Sequence, residues 1–86
     1  MEEFYAYVLA DENSRLYKGC TNNLERRLME HREGKTRTTK RKKKVRVVYF
    51  EKFSTFAEAR NREVYFKTAA GRRYLKSRIG AVSSAG

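Results

Sequence analysis

The sequence predicts an α/β fold of the α+β kind, a small sheet with helices packed on it in the order β-β-α-β-α-α. Three observations predict it. Three short runs are rich in aromatic and β-branched residues. Two polar residues, each with a glutamate three positions on, open helical stretches. And 86 residues leave room for one domain with a thin core. Apolar residues make up 40% of the chain and aromatic residues 13%, enough for a packed fold rather than a disordered segment. The domain is expected over 1–80, with 81–86 a small, polar, flexible tail.

Phe4-Tyr5-Ala6-Tyr7-Val8-Leu9 reads as the first strand. Asp11-Glu12-Asn13-Ser14 is turn chemistry, and Arg15 to Cys20 returns as the second strand of a hairpin. Asn22 is expected to cap the first helix, with Glu25 three residues later, and Gly34 to stop it after Glu33. Lys35 to Lys44 holds seven basic residues and three threonines with nothing apolar, and reads as a mobile loop. Val45 to Phe50 is the third strand. Thr55 and Glu58 form a second capping-box spacing, opening a helix that reaches about Lys67. Ala69-Ala70-Gly71 is expected to break it before a last helix from Arg72 to Ile79.

Charge is the dominant compositional feature: 21 Lys and Arg against 10 acids, a formal net charge of +11. Such a field concentrates polyanions, and nucleic acid gains further from release of condensed counterions. An anionic membrane would call for a basic amphipathic helix with an uninterrupted apolar face, and no such stretch occurs. The longest apolar run, Phe4 to Ala10, is too short to span a bilayer, and it follows Glu2 and Glu3 rather than the lysines of a signal peptide. Cys20 is the only cysteine and His31 the only histidine. An intrachain disulfide is therefore impossible, which fits a reducing cytoplasm, and a four-ligand zinc site is excluded within one chain. A Ser–His–Asp triad would have to use His31 with Asp11, and no spacing supports it.

Helical spacing places two charges on otherwise apolar faces. Leu24, Leu28 and His31 line one face of the first helix, with Arg27 between them and Arg26 pointing away. Phe56, Ala59 and Phe66 mark the stripe of the second helix, and Glu63 falls inside it. Taken singly, such charges more often snorkel or pair quietly. Opposite charges beside tyrosines at core positions point instead to a site. Tyr5 and Tyr7 share one face of the first strand, and Tyr17 sits on its hairpin partner. A phenol, with a pKa of about 10, acts as a base only where cations or a metal lower that value.

Tyr5-Ala6-Tyr7 followed by Tyr17-Lys18-Gly19 resembles the paired signatures of the GIY-YIG endonucleases. The run Thr21-Asn22-Asn23-Leu24-Glu25-Arg26-Arg27-Leu28-Met29-Glu30-His31 is similar to that family's first-helix motif, and Glu58-Ala59 through Arg62-Glu63 to the motif of its metal-binding glutamate. The resemblance covers about residues 4 to 79 and is closest to small stand-alone members, similar to the nuclease domain of the excision-repair incision subunit. It implies a three-stranded antiparallel sheet flanked by helices and one divalent ion, Mg²⁺ or Mn²⁺. It also implies a role for each matched residue. Tyr7 and Tyr17 are the signature tyrosines, either of which could be the base; Arg27 stabilises the phosphate, Glu63 holds the metal, and His31 lies near the reacting phosphate. Tyr5 and Ala6 stand where the first signature has Gly and Ile, Lys18 where the second has Ile, and Cys20 where some relatives carry a lysine.

The expectation is thus a metal-dependent endonuclease acting on nucleic acid, DNA rather than RNA, in a setting such as DNA repair, with a protein partner for targeting as a further option. Lys35, Arg37, Lys40, Arg41, Lys42, Lys43 and Lys44 are expected to contact phosphates. The alternative is a catalytically silent nucleic-acid-binding or ribosome-associated module that uses the same basic surface.

Overall fold

The computed structural model describes residues 3–34 and 44–79. Its elements are β1 (Phe4–Asp11), β2 (Leu16–Thr21), α1 (Leu24–Arg32), β3 (Val45–Phe53), α2 (Phe56–Phe66) and α3 (Ala69–Arg78). The three strands form one antiparallel sheet in the order β2-β1-β3, so the first strand is central. Positions 6–11 of β1 are all buried, as a strand covered on both faces must be. On one face Tyr7, Leu9, Tyr17 and Val45 pack with Leu24 and Leu28 of α1. On the other, Ala6 and Val8 pack with Phe66 of α2 and with Leu75 and Ile79 at the end of α3.

The hairpin is organised by Asp11. Its Oδ1 accepts from the backbone N–H groups of Asn13 and Arg15, each at 2.9 Å, and Ser14 takes the left-handed conformation at φ 62°. Its Oδ2 accepts from the Tyr17 hydroxyl at 3.0 Å, so this buried carboxylate is committed to the turn. β3 runs three residues further than the sequence predicts, because Glu51, Lys52 and Phe53 pair with Ala6, Tyr5 and Phe4. A register shift between Val8 and Leu9 lets Val48 and Tyr49 both join the cluster beneath α2 and α3.

The starts of α1 and α3 differ from the sequence reading, whereas that of α2 agrees with it. Asn23, not Asn22, caps α1, accepting from Arg26 N at 3.0 Å, while the Asn22 side chain accepts from the Arg26 guanidinium at 3.2 Å. Gly34, at φ 72°, follows the end of α1 as expected. Thr55 caps α2 and exchanges hydrogen bonds with Glu58. Phe56, expected in the buried stripe, is 53% exposed, its ring in a T-shaped contact with Phe4. The break before α3 lies at Thr68, which caps that helix. Gly71 lies inside α3, where it permits contact: a Cβ there would stand 1.8 Å from the Tyr65 carbonyl oxygen. The 81–86 tail lies outside the described residues.

One polar cluster ties α2 and α3 to β3. Glu51 accepts two bonds from Arg62, at 2.8 and 3.3 Å, and one each from the hydroxyls of Tyr49 and Tyr74. The Arg62 guanidinium lies 4.6 Å from the Tyr65 ring centre and 4.7 Å from that of Tyr74. Every group in this cluster is satisfied by another, as a half-buried charge network requires.

Candidate active site

Tyr7 is central to the candidate site. Strand alternation turns it toward α1, where it is 2% exposed, and its β2 partner in register is Gly19. A Cβ on Gly19 would lie 2.4 Å from the Tyr7 hydroxyl, so the absence of a side chain there is what lets the ring lie across β2. That hydroxyl accepts from Arg27 Nε at 3.1 Å and lies 3.3 Å from His31 Nε2. Both partners come from α1, one turn apart. Burial and the neighbouring Arg27 charge hold the His31 pKa below its ordinary 6.5, so the ring is neutral at neutral pH. With the proton of the neutral ring on Nδ1, Nε2 accepts from the Tyr7 hydroxyl. Burial raises the Tyr7 pKa above its usual value, against the lowering effect of Arg27, so the resting group is a phenol.

Glu63 reaches the same place from α2. It is 6% exposed, its Oε1 accepts from Arg60 at 2.9 Å and its Oε2 from Lys67 at 3.1 Å. Burial alone would raise its pKa, but the hydrogen bonds from Lys67, Arg60 and the Cys20 thiol outweigh burial and keep it ionised. Burial and that same contact push Cys20 up to about 11, so it is a protonated donor and not a nucleophilic thiolate. Arg27, by contrast, pairs with Glu30 at 3.1 Å and with Tyr7; it does not neutralise Glu63.

Tyr7, Arg27, His31 and Glu63 therefore line one cleft of about 290 Å³, at the β2 edge of the sheet between α1 and α2. Lys18, Arg60 and Lys67 line it too, giving four cations against one carboxylate. These three were not singled out from the sequence. The i−3 and i+4 positions about Glu63 could have revealed Arg60 and Lys67; Lys18 required the sheet register. Burial and repulsion from Arg72 and Lys67 lower the Lys18 pKa, the mark of like charges gathered where a polyanion would relieve them.

Tyr17 takes a different place. It packs beside Tyr7, with its ring centre 6.1 Å from that of His31, but its hydroxyl donates to Asp11 and it does not line the cleft. Lys35, Arg37, Lys40, Arg41, Lys42 and Lys43 lie outside the described residues, and Lys44 is exposed immediately before β3.

Among the described residues no group of three or more His, Cys, Asp or Glu side chains could cage a metal ion. What the cleft offers is one ionised carboxylate beside open volume. That donor set fits a hard divalent ion that keeps several waters and takes further oxygens from a substrate phosphate.

The profile of the GIY-YIG catalytic domain matches residues 3–76, nearly the whole chain. The chain belongs to the GIY-YIG family. A UPF0213 protein of Staphylococcus haemolyticus is 38% identical over 77 residues, 88% of this chain and 94% of its own length. Another, from Bacillus licheniformis, is 45% identical over 64 residues, 73% of this chain and 66% of its own length. The solution NMR structure of a UPF0213 protein from Bacillus halodurans superposes with a TM-score of 0.53 at 27% identity, covering 87% of this chain and 83% of that one. GIY-YIG membership supports a nuclease-like function and interaction with nucleic acid, and nucleases of the family are generally metal-dependent. Among the described residues no helix is long and apolar enough to cross a membrane.

Proposed function

We propose that this GIY-YIG protein is an endonuclease that hydrolyses phosphodiester bonds, with DNA as its substrate and one Mg²⁺ or Mn²⁺ held by Glu63. The observation that carries this reading is the convergence of Tyr7, Arg27, His31 and Glu63, from three separate elements, on one cleft with excess positive charge. Hydrolysis passes through a phosphorane-like state with extra negative charge on the non-bridging oxygens. Arg27, with Lys18 and Lys67 nearby, is poised to meet that charge in a partly desolvated site. A divalent ion on Glu63 would add Lewis-acid charge at the same phosphate. Tyr7 is the base on this reading, acting in relay: as the attacking water gives a proton to the phenol oxygen, the phenol's own proton passes to His31 Nε2, and Arg27 stabilises the charge that develops on that oxygen. Tyr17, bonded to Asp11, serves to position the turn and pack beside Tyr7. A reducing cytoplasm suits the lone Cys20 thiol, and the likeness to an excision-repair incision domain favours a repair setting.

The second reading, a silent nucleic-acid-binding module, is favoured by one observation: both Glu63 oxygens already have cationic partners, so an ion must displace them. Nicking of supercoiled plasmid with and without Mg²⁺ or Mn²⁺, run alongside thermal melts, separates the readings. Glu63→Gln should lose metal-stimulated nicking while still binding DNA. Its two partners are half-exposed, so the change should cost about 1 kcal/mol or less, a melting shift of about 8 °C at most. Arg27→Ala should lose at least about a hundredfold in rate. Wild-type protein without metal-stimulated nicking would establish the silent module. Unstable mutants whose residual cleavage tracks their folded fraction would reduce both residues to structural roles.

A further inference from the structure

The geometry points to a nucleobase-stacking subsite on Phe56, beside the cleft, which takes an unpaired nucleotide of the substrate strand next to the scissile phosphate. This rests on the nuclease reading above and adds to it the state of the nucleic acid that the site accepts.

A second groove, of about 390 Å³, adjoins the cleft and shares Cys20 and Arg27 with it. Phe56 lines it, 53% exposed, in a T-shaped contact with Phe4, the ring centres 6.0 Å apart. Lining the same groove are Asn22, just before α1, and Arg26 of α1, whose side chain is 56% exposed, donates to Asn22 at 3.2 Å and lies 4.0 Å from Glu30. A single exposed aromatic residue is ordinary on a protein surface. A half-exposed ring that shares a groove with a guanidinium, next to a cationic cleft, has the parts that bind single strands: the ring stacks a base and the cation meets its phosphate. The direction continues past Asn22, which also lines a further groove of about 440 Å³ containing Phe50, 49% exposed and edge-on to Tyr5.

Double-stranded nucleic acid does not satisfy this subsite. A paired base already has neighbours on both faces and cannot present one to Phe56 without leaving the stack. The occupant is therefore a nucleotide in a single strand, a flap or a frayed junction, whose phosphate on the cleft side reaches Arg27.

The test is equilibrium binding of a short single-stranded DNA oligonucleotide to Glu63→Gln protein in chelator, by fluorescence anisotropy, so that no cleavage intervenes. Phe56→Ala should weaken binding roughly fivefold to a hundredfold, the usual range for removal of one stacking ring. Phe56→Leu, which keeps apolar contact with Phe4, should weaken it similarly, whereas Phe56→Tyr should bind as the parent does. Val64→Ala, on the same helix, 49% exposed and lining neither groove, should change nothing. One abasic position, scanned along the oligonucleotide, should cost the parent a comparable factor at a single register and cost Phe56→Ala nothing. Equal binding by parent, Phe56→Ala and Phe56→Leu, or an abasic penalty that persists without the ring, overturns the subsite and leaves the nuclease reading standing. A parent that binds neither single-stranded nor duplex DNA overturns both.

Discussion

A hydroxyl shared between a guanidinium and an imidazole has its proton directed by whichever neighbour is uncharged. For Tyr7 that neighbour is His31, held neutral by burial and by Arg27. The same shift makes stability depend on pH. Below about pH 6.5 the unfolded chain protonates its histidine while the folded chain resists, so the unfolded state binds more protons and stability falls with falling pH. This contribution is whole above the unfolded pKa and disappears as pH drops toward the folded one. Glu63 and Glu51, both held below 4.5, add their loss only in more acid solution. Wild-type melting temperature should therefore decline between about pH 7 and pH 5.5, and His31→Gln should flatten that part of the curve. Parallel curves would show that His31 titrates alike in both states. Arg27, His31 and Glu63 were legible in the sequence because each breaks or joins an apolar helical stripe, a pattern that periodicity reports directly. The difference between Tyr7 and Tyr17 was not. Strand alternation assigns a face, but only the folded turn shows that Asp11 takes one hydroxyl and α1 the other.

Elements were legible where local chemistry decides them and blurred where tertiary contact does. The three strands and the α2 cap follow from side-chain type and from the Thr55–Glu58 spacing. The last three residues of β3 include two charges and lie beyond the predicted strand, yet pairing with β1 extends the strand through them. Gly71 is the clearest case. Alone it reads as a helix breaker, but in α3 it is buried against the carbonyl of Tyr65 because two helix backbones meet there. Gly71→Ala would gain helix propensity in isolation. In the fold the added methyl meets backbone, which cannot swing aside, so α3 must move and strain the packing of Leu75 and Ile79 beneath it. The expected loss is about 1–3 kcal/mol, or about 4–8 °C in melting temperature for each kcal/mol. Ala70→Ser, at the exposed neighbouring position, should stay near wild type. A Gly71→Ala protein as stable as the parent would mean that the α2 and α3 backbones do not meet this closely.

Across the whole molecule, the net charge of +11 includes two groups of cations that nucleic acid can meet differently. In the cleft, Lys18, Arg60 and Lys67 stand with a single carboxylate, two of them bonded to it, at the site of the proposed chemistry. The run Lys40 to Lys44 lies almost wholly outside the described residues, and its role is proposed from charge alone: binding phosphates to supply affinity rather than catalysis. Salt dependence separates the two. Removing one cation that neutralises a phosphate lowers the slope of log affinity against log salt by about 0.9 on duplex DNA and about 0.7 on single strands. Replacing Arg41, Lys42 and Lys43 together with Gln should flatten the slope by up to about three such steps while leaving the saturated cleavage rate near wild type. Lys18→Gln should flatten it by about one step, and should also slow cleavage, because its charge lies where the transition state gains its own. If the triple variant keeps the wild-type slope, the basic run is solvated and outside the interface. If Lys18→Gln leaves both slope and rate unchanged, the positive charge of the cleft resides in Arg27, Arg60 and Lys67 alone.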